Sequence, residues 1–105
     1  MTITDLPSVL QETGLPVTLM SWPEDKAPAL PFICYTLPST NNLFADGISY
    51  VEVYVVDVEL YTDLRDLAIE KRLEDVFAAH GIPWNKDVYF VESENCYQIL
   101  YEIEV

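Results

Sequence analysis

Apolar side chains recur with helical spacing near the start of the chain. Three of them, Leu6, Val9 and Leu10, fall with Thr13 on one side of a helix of about three turns. We predict that this helix begins at Thr4, whose hydroxyl can cap the first turn. It is expected to end at Gly14, because Pro16 follows and cannot continue a helix.

A second and longer helix is predicted after residue 62. Five residues form one stripe of this helix at the spacing i, i+4, i+7, i+8 and i+11: Ile69, Leu73, Val76, Phe77 and His80. Thr62 or Asp63 is the predicted cap, and Gly81 is the predicted stop. Leu64, Leu67 and Ala78 form a weaker second stripe. This stripe predicts contact with another part of the chain or with a neighbouring subunit.

Five stretches have the composition and alternation of β-strands: residues 17–22, 32–37, 49–61, 87–92 and 96–105. In the long third stretch the apolar residues change from odd to even positions at Val55 and Val56. This change indicates either a bulge or a strand whose two halves are covered on different faces. The last two stretches predict a hairpin that turns at residues 93–95.

The two loops that flank the second predicted strand differ in character. Residues 23–31 contain three prolines, counting both ends, and residues 38–47 contain Ser, Thr, Asn and Asp. Within the second loop, Leu43 and Phe44 are adjacent large apolar residues. They either fold back onto the core or form an apolar tip for a partner. The pattern leaves both alternatives open.

The element order is therefore α-β-β-β-α-β-β. It predicts an α+β fold in one domain over residues 1–105, with a twisted and mostly antiparallel sheet. The second helix is expected to pack on the apolar face of that sheet. Its stripe should contact Val58, Leu60, Ile99 and Tyr101.

The charge of the chain excludes several classes of partner. Five Lys and Arg face 18 Asp and Glu, which gives a net charge of −13. Such a surface repels phosphate backbones and anionic lipids, so we expect no nucleic-acid or membrane binding. No apolar run is long enough to span a bilayer, and the N-terminal residues lack the pattern of a secretion signal. Synthesis in the cytosol is therefore expected.

The sequence contains few residues arranged for catalysis or metal binding. Cys34 and Cys96 lie in strand-like runs and are expected to be reduced and buried. His80 is expected to be a half-buried cap residue at the end of the second helix. One helical side carries acidic residues, which we interpret as a solvated face: Asp63, Asp66, Glu70 and Glu74. We predict no catalytic residues, no cofactor and no metal.

Several segments, taken in order, resemble small tail-component proteins of siphophages and prophages of Gram-positive bacteria. They are residues 30–35 (LPFICY), 39–46 (STNNLFAD), 58–63 (VELYTD) with the acidic helix that follows, and 97–103 (YQILYEI). The resemblance implies a tail-completion or tail-terminator protein. Such subunits assemble, commonly as hexameric rings, on the head-proximal end of the tail tube, where they stop its growth and meet the head connector.

For this chain the resemblance implies a homo-oligomeric ring with tail-tube and connector proteins as partners, located in the host cytoplasm during assembly and then in the virion. Leu43 and Phe44, together with Leu64 and Leu67, are the interface candidates. A head-side neck adaptor is the alternative within the same class. An acidic protein that mimics DNA, and so inhibits a nucleic-acid enzyme, is the alternative from another class.

Overall fold

The computed structural model describes residues 2–23, 26–45 and 47–105, and for residues 43–45 and 48–51 only the backbone. The α+β class is confirmed. The elements in chain order are α1 (Leu6–Gln11), β1 (Val17–Leu19), β2 (Phe32–Thr40), β3 (Leu43–Ala45), β4 (Ile48–Val51), β5 (Tyr54–Thr62), α2 (Leu67–Ala79), β6 (Asn85–Val91) and β7 (Cys96–Glu104).

Five of the strands form one sheet in the order β1-β2-β5-β7-β6. β1 pairs with β2 in parallel, and the other three pairs are antiparallel. β3 and β4 form a separate antiparallel pair. The prediction of a loop over residues 38–47 is therefore wrong, since β2 continues to Thr40 and a short hairpin follows. The single strand predicted over residues 49–61 is divided into β4 and β5.

The predicted irregularity near Val55 and Val56 lies on the neighbouring strand instead. Thr36 pairs with Asp57 and Ser39 pairs with Val55, so β2 has one more residue than β5 between these pairs. This is the geometry of a β-bulge, and it contains Pro38. Proline has no N–H to donate to the ladder, which explains why the pairing is interrupted there.

Both helices pack on one face of the five-stranded sheet. The core contains Leu6 and Leu10 from α1 and Leu73 and Phe77 from α2, all fully buried. The fully buried side chains of the sheet include Val58, Leu60, Ile99 and Tyr101. Ile69 is partly buried against this cluster. The prediction that the second helix packs on these strand residues is confirmed for Ile69, Leu73 and Phe77, whereas His80, the last residue of the predicted stripe, is exposed.

The structure corrects the predicted helix starts. A single 3₁₀ turn precedes α1, and the Thr2 N–H donates to the Asp5 carboxylate at 2.9 Å. α2 begins after Asp66, whose Oδ1 accepts from the N–H groups of Ala68 and Ile69 at 3.1 and 3.2 Å. Thr62 cannot be the cap because it is still part of β5.

The C-terminal hairpin forms as predicted, with β6 beginning at Asn85 rather than at residue 87. Its turn is a 3₁₀ segment, Glu92–Glu94, followed by Asn95 in the left-handed region at φ 49°. In β7 the residues Ile99, Tyr101 and Ile103 are buried, whereas Glu102 and Glu104 are exposed. The predicted alternation of this strand is therefore confirmed.

Candidate interaction surfaces

Leu64 and Leu67, two of the interface candidates, lie on the surface at the start of α2. Leu64 belongs to the segment between β5 and α2, and Leu67 is the first residue of the helix. Their relative exposures are 73% and 67%. Both lie away from the core, so they are available to a partner.

These two leucines do not form the predicted helical stripe with Ala78. Leu64 precedes the helix, and Ala78 is exposed near its other end. Instead, Leu64 borders a cleft of about 320 Å³. The other residues that line this cleft are Leu30, Pro31, Thr62, Asp63, Arg65, Asp66 and Ile69. The apolar surface here is therefore a local patch around the β5–α2 connection.

The other interface candidates, Leu43 and Phe44, occupy β3. Their backbone pairs with β4, where Leu43 lies opposite Val51 and Phe44 opposite Ser49. Their side chains lie outside the described part of the molecule. The prediction that they contact a partner therefore stays a prediction.

Two further exposed apolar patches were not predicted from the sequence. One, which we call the neutral groove, is a depression of about 260 Å³ lined by Leu19, Met20, Thr36, Leu37 and Pro38. The other, which we call the aromatic ridge, consists of Val88, Tyr89 and Phe90 on β6. The unbroken apolar run of residues 88–91 was the available signal for the ridge, because a half-buried strand normally alternates.

An ionic network lies between α2 and β6, on the helix side of the sheet. Glu70 is only 1% exposed, and its carboxylate accepts hydrogen bonds from Arg65 Nε at 2.9 Å and Lys86 Nζ at 3.1 Å. Lys86 also donates to Glu74 at 2.8 Å, and the Tyr101 hydroxyl donates to Glu74 at 2.6 Å. The interpretation of Glu70 and Glu74 as members of a solvated acidic face is therefore wrong.

The network alters the protonation of its members. Burial raises the pKa of Glu70, but the hydrogen bonds from Arg65 and Lys86 outweigh it and hold that pKa below its usual value. The hydrogen bond to Glu74 raises the pKa of Lys86. Burial, together with Glu74, raises the pKa of Tyr101 well above its usual value. Glu70 is thus a carboxylate and Lys86 an ammonium group at neutral pH, which is the charge state of a structural ion pair.

The opposite face of the sheet, which we call the open face, carries carboxylates. Strand register places five of them there: Asp57, Glu59, Asp87, Glu102 and Glu104. None of the five described strands directs a Lys or Arg side chain to this face, because Lys86 points to the helix side. Four of the five Lys and Arg make their contacts on the helix side, namely Arg65, Lys71, Arg72 and Lys86, and the fifth, Lys26, is exposed in the segment between β1 and β2. Charge is therefore segregated across the sheet.

One carboxylate of the open face belongs to a short hydrogen-bond chain. Gln98 donates to the Tyr61 hydroxyl at 2.9 Å, and that hydroxyl donates to Glu59 at 3.1 Å. Burial raises the pKa of Glu59 above its usual value, and burial next to Glu59 raises the pKa of Tyr61 to about 12. Glu59 therefore gains a proton more readily than an exposed carboxylate does.

The residues weighed for catalysis or redox chemistry have structural contacts. His80 is the C-cap of α2, and its ring Nε2 lies 2.9 Å from the Glu12 carboxylate. Cys34 and Cys96 are buried free thiols, which confirms that prediction. Burial raises the pKa of Cys34 to about 11, so this thiol is a poor nucleophile at neutral pH.

Within the described residues, no group of three His, Cys, Asp or Glu side chains is placed to hold a metal ion. In the same part of the chain, no helix is both long and apolar enough to cross a membrane. No protein-family model matches the chain, and no curated protein matches it either. The surfaces described above are thus the basis for a functional proposal.

Proposed function

We propose that this chain is a structural subunit of a phage tail-completion ring. In this role it ends the growth of the tail tube at its head-proximal end and joins the tail to the head connector. The proposal includes no catalytic activity. It draws on the resemblance of residues 30–105 to small tail components of siphophages and prophages, and on a small α+β subunit with several uncovered apolar surfaces.

The observation that carries the proposal is the exposure of Leu64 and Leu67, at 73% and 67%. Exposed apolar residues that lie together commonly mark contacts with other proteins. Because a net charge of −13 suppresses non-specific association, exposed leucines on this chain indicate a specific contact. A ring subunit needs more than one such surface, because it contacts its neighbours, the tube and the connector.

The segregation of charge is consistent with this role. If the carboxylates of the open face line the channel of the ring, DNA that passes through meets no basic side chain from the five described strands of the sheet. The open face would then repel the phosphates of the DNA, while the apolar patches provide the contacts between proteins.

Electron microscopy of phage particles tests the proposal. Deleting the gene from a phage or prophage that encodes this chain is expected to give overlong tails without heads, and supplying the intact chain should restore normal particles. Tails of normal length that lack heads would assign the chain to the neck instead, as a head-side adaptor. Normal, complete particles would contradict both roles.

The open face favours a second candidate, a protein that mimics DNA. Asp57 and Glu102 are direct neighbours across two strands, and no basic side chain from the described strands balances them. Such an array can take the place of phosphates on a basic enzyme. Native mass spectrometry separates the two functions, because a mimic is expected as a monomer or dimer and a terminator as a ring. Glu59→Gln with Glu102→Gln should weaken a mimic but leave ring assembly intact.

A further inference from the structure

We propose that copies of this chain associate through the two opposite edges of the five-stranded sheet. The aromatic ridge of one copy packs into the neutral groove of the next. This contact deepens the proposed function. It rests on one part of that function, namely that the chain assembles with itself. It differs from the contacts considered for Leu43, Phe44, Leu64 and Leu67.

The positions of the two surfaces support contact between copies. β1 and β6 are the two edge strands, so the groove and the ridge lie at opposite ends of the sheet. A head-to-tail assembly needs two different surfaces on each subunit, whereas a symmetric dimer uses one surface twice. A ridge-to-ridge dimer would leave the groove of each copy uncovered.

Val88 and Phe90 of the ridge share a face of the sheet with Leu19 of the groove, whereas Tyr89 lies on the open face, opposite Gln98. Leu19 pairs with Tyr35, and Val88 pairs with Ile99; both partners belong to the core beneath the helices. Phe90 lies on the same side, because it is two residues beyond Val88 and its ring packs on Tyr97 at 5.1 Å. When two copies are placed side by side with their helices on the same side, the ridge of one therefore meets the groove of the other on a common face.

Strand direction is compatible with this arrangement. β1 is parallel to β2, and three antiparallel steps lead from β2 to β6. β6 therefore runs antiparallel to β1 within one copy. In two copies with the same orientation, β6 meets the β1 of its neighbour as an antiparallel strand, a pairing that exposed edge strands readily form.

Charge identifies the partner as another copy rather than a basic protein. Residues 13–23 and 27–45 contain no charged side chain, although the whole chain has 18 Asp and Glu. The apolar run of residues 88–91 in β6 is also uncharged. Two strongly acidic copies repel each other wherever carboxylates face carboxylates. They approach at least cost through these two uncharged stretches, whereas a basic protein would prefer the carboxylates of the open face.

Two variants test the contact. A groove variant combines Met20→Asn with Leu37→Glu; asparagine tolerates the φ of 68° at position 20 better than methionine does. A ridge variant combines Val88→Glu with Phe90→Glu. Each is expected to weaken association by about 30-fold or more, the equivalent of about 2 kcal/mol for an apolar anchor at an interface centre. Circular dichroism confirms that each variant is folded, and Leu64→Ser with Leu67→Ser is the control that should leave association unchanged.

Mixing the variants distinguishes this contact from any symmetric one. By native mass spectrometry the wild-type chain should form closed assemblies, and each variant alone should be monomeric. An equal mixture should form heterodimers and nothing larger, because only one intact ridge and one intact groove remain to pair. Three results would overturn the proposal. The groove variant alone could form dimers, either variant alone could form assemblies as large as those of the wild type, or the mixture could stay monomeric.

These experiments distinguish a failure of the edge contact from a failure of the proposed function. If the leucine control loses assembly while the edge variants keep it, a ring exists but uses another surface, so only the edge contact fails. If the edge variants behave as expected but deletion of the gene leaves phage particles normal, the contact stands and the tail function fails. A wild-type chain that stays monomeric at high concentration would overturn the edge contact.

Discussion

Replacing Lys86 with methionine should destabilise the protein, because this residue compensates a buried carboxylate. Glu70 is 1% exposed and has two cationic partners, Arg65 at 2.9 Å and Lys86 at 3.1 Å. Methionine keeps most of the apolar stem of lysine but cannot donate or carry charge. Glu70 then retains only Arg65, and Glu74 loses its ammonium partner.

The expected loss in the free energy of unfolding is about 3 kcal/mol at pH 7. Removing one partner of a buried ion pair costs about 3–5 kcal/mol because a charge is left uncompensated. The lower end applies here, since the Lys86 side chain is 25% exposed and Arg65 continues to bond Glu70. Lys71→Met is the matched control. It breaks an exposed pair with Asp75, which water and salt screen, and should leave the stability nearly unchanged.

Urea unfolding followed by circular dichroism measures both variants. Tryptophan fluorescence is unsuitable, because the Lys86 ammonium lies 5.6 Å from the Trp84 ring and its removal changes the probe itself. All variants are compared at one protein concentration, so that self-association affects them equally. A loss for Lys86→Met below about 1 kcal/mol, no larger than the loss for Lys71→Met, would refute the argument that Glu70 depends on Lys86.

Acidification gives a second and independent check. In the wild type the pKa of Glu70 lies below its ordinary value of 4.5, so its contribution to stability is present above that value and is lost as the pH falls through the folded pKa. Without Lys86, burial should raise the pKa of Glu70, and the folded variant then gains a proton more readily than the unfolded chain. The difference in stability between wild type and variant should therefore become smaller as the pH is lowered from 7 towards 4. A difference that is constant over this range would contradict the assignment.

Three further predictions concern the core, the thiols and the short hairpin. Phe77→Ala should cost about 3–5 kcal/mol in urea unfolding, since Phe77 is fully buried; a loss within about 0.5 kcal/mol would contradict its place in the core. Cys34→Ala with Cys96→Ala should keep the fold at a modest cost, as seen by circular dichroism, and collapse of the fold would show that the thiols are essential. Leu43→Ser with Phe44→Ser should abolish assembly or tail termination while thermal unfolding changes little. A variant that is strongly destabilised yet still assembles when folded would show that these residues are structural.

The parts of the fold with regular periodicity could be predicted from the sequence. The stripe through Leu73 and Phe77 and the alternation of Ile99 and Tyr101 each fit a single period, and they identified the core correctly. Helix ends were less predictable. Thr62, Asp63 and Asp66 can all cap a helix chemically, and the choice of Asp66 depends on where β5 ends.

The ionic network could not be predicted, because periodicity describes one element at a time. Asp66, Glu70 and Glu74 have the spacing of one helical side, which alone is typical of a solvated surface. Burial of Glu70 depends on Lys86, which arrives from β6 in the folded sheet. The same limit applies to the neutral groove, where β1 and β2 bring Leu19 and Leu37 together.

Edge-to-edge association would extend the segregation of charge from one subunit to the whole assembly. The sheets of neighbouring copies would continue one another with their helices on the same side, so their open faces would form one wall. That wall would present Asp57, Glu59 and Glu102 from every copy. The Lys and Arg side chains that pair on α2 and β6 would lie behind it, on the helix side. A chain with net charge −13 can therefore assemble with itself at least cost if its contacts avoid this wall, as the uncharged stretches of β1 and of residues 88–91 do.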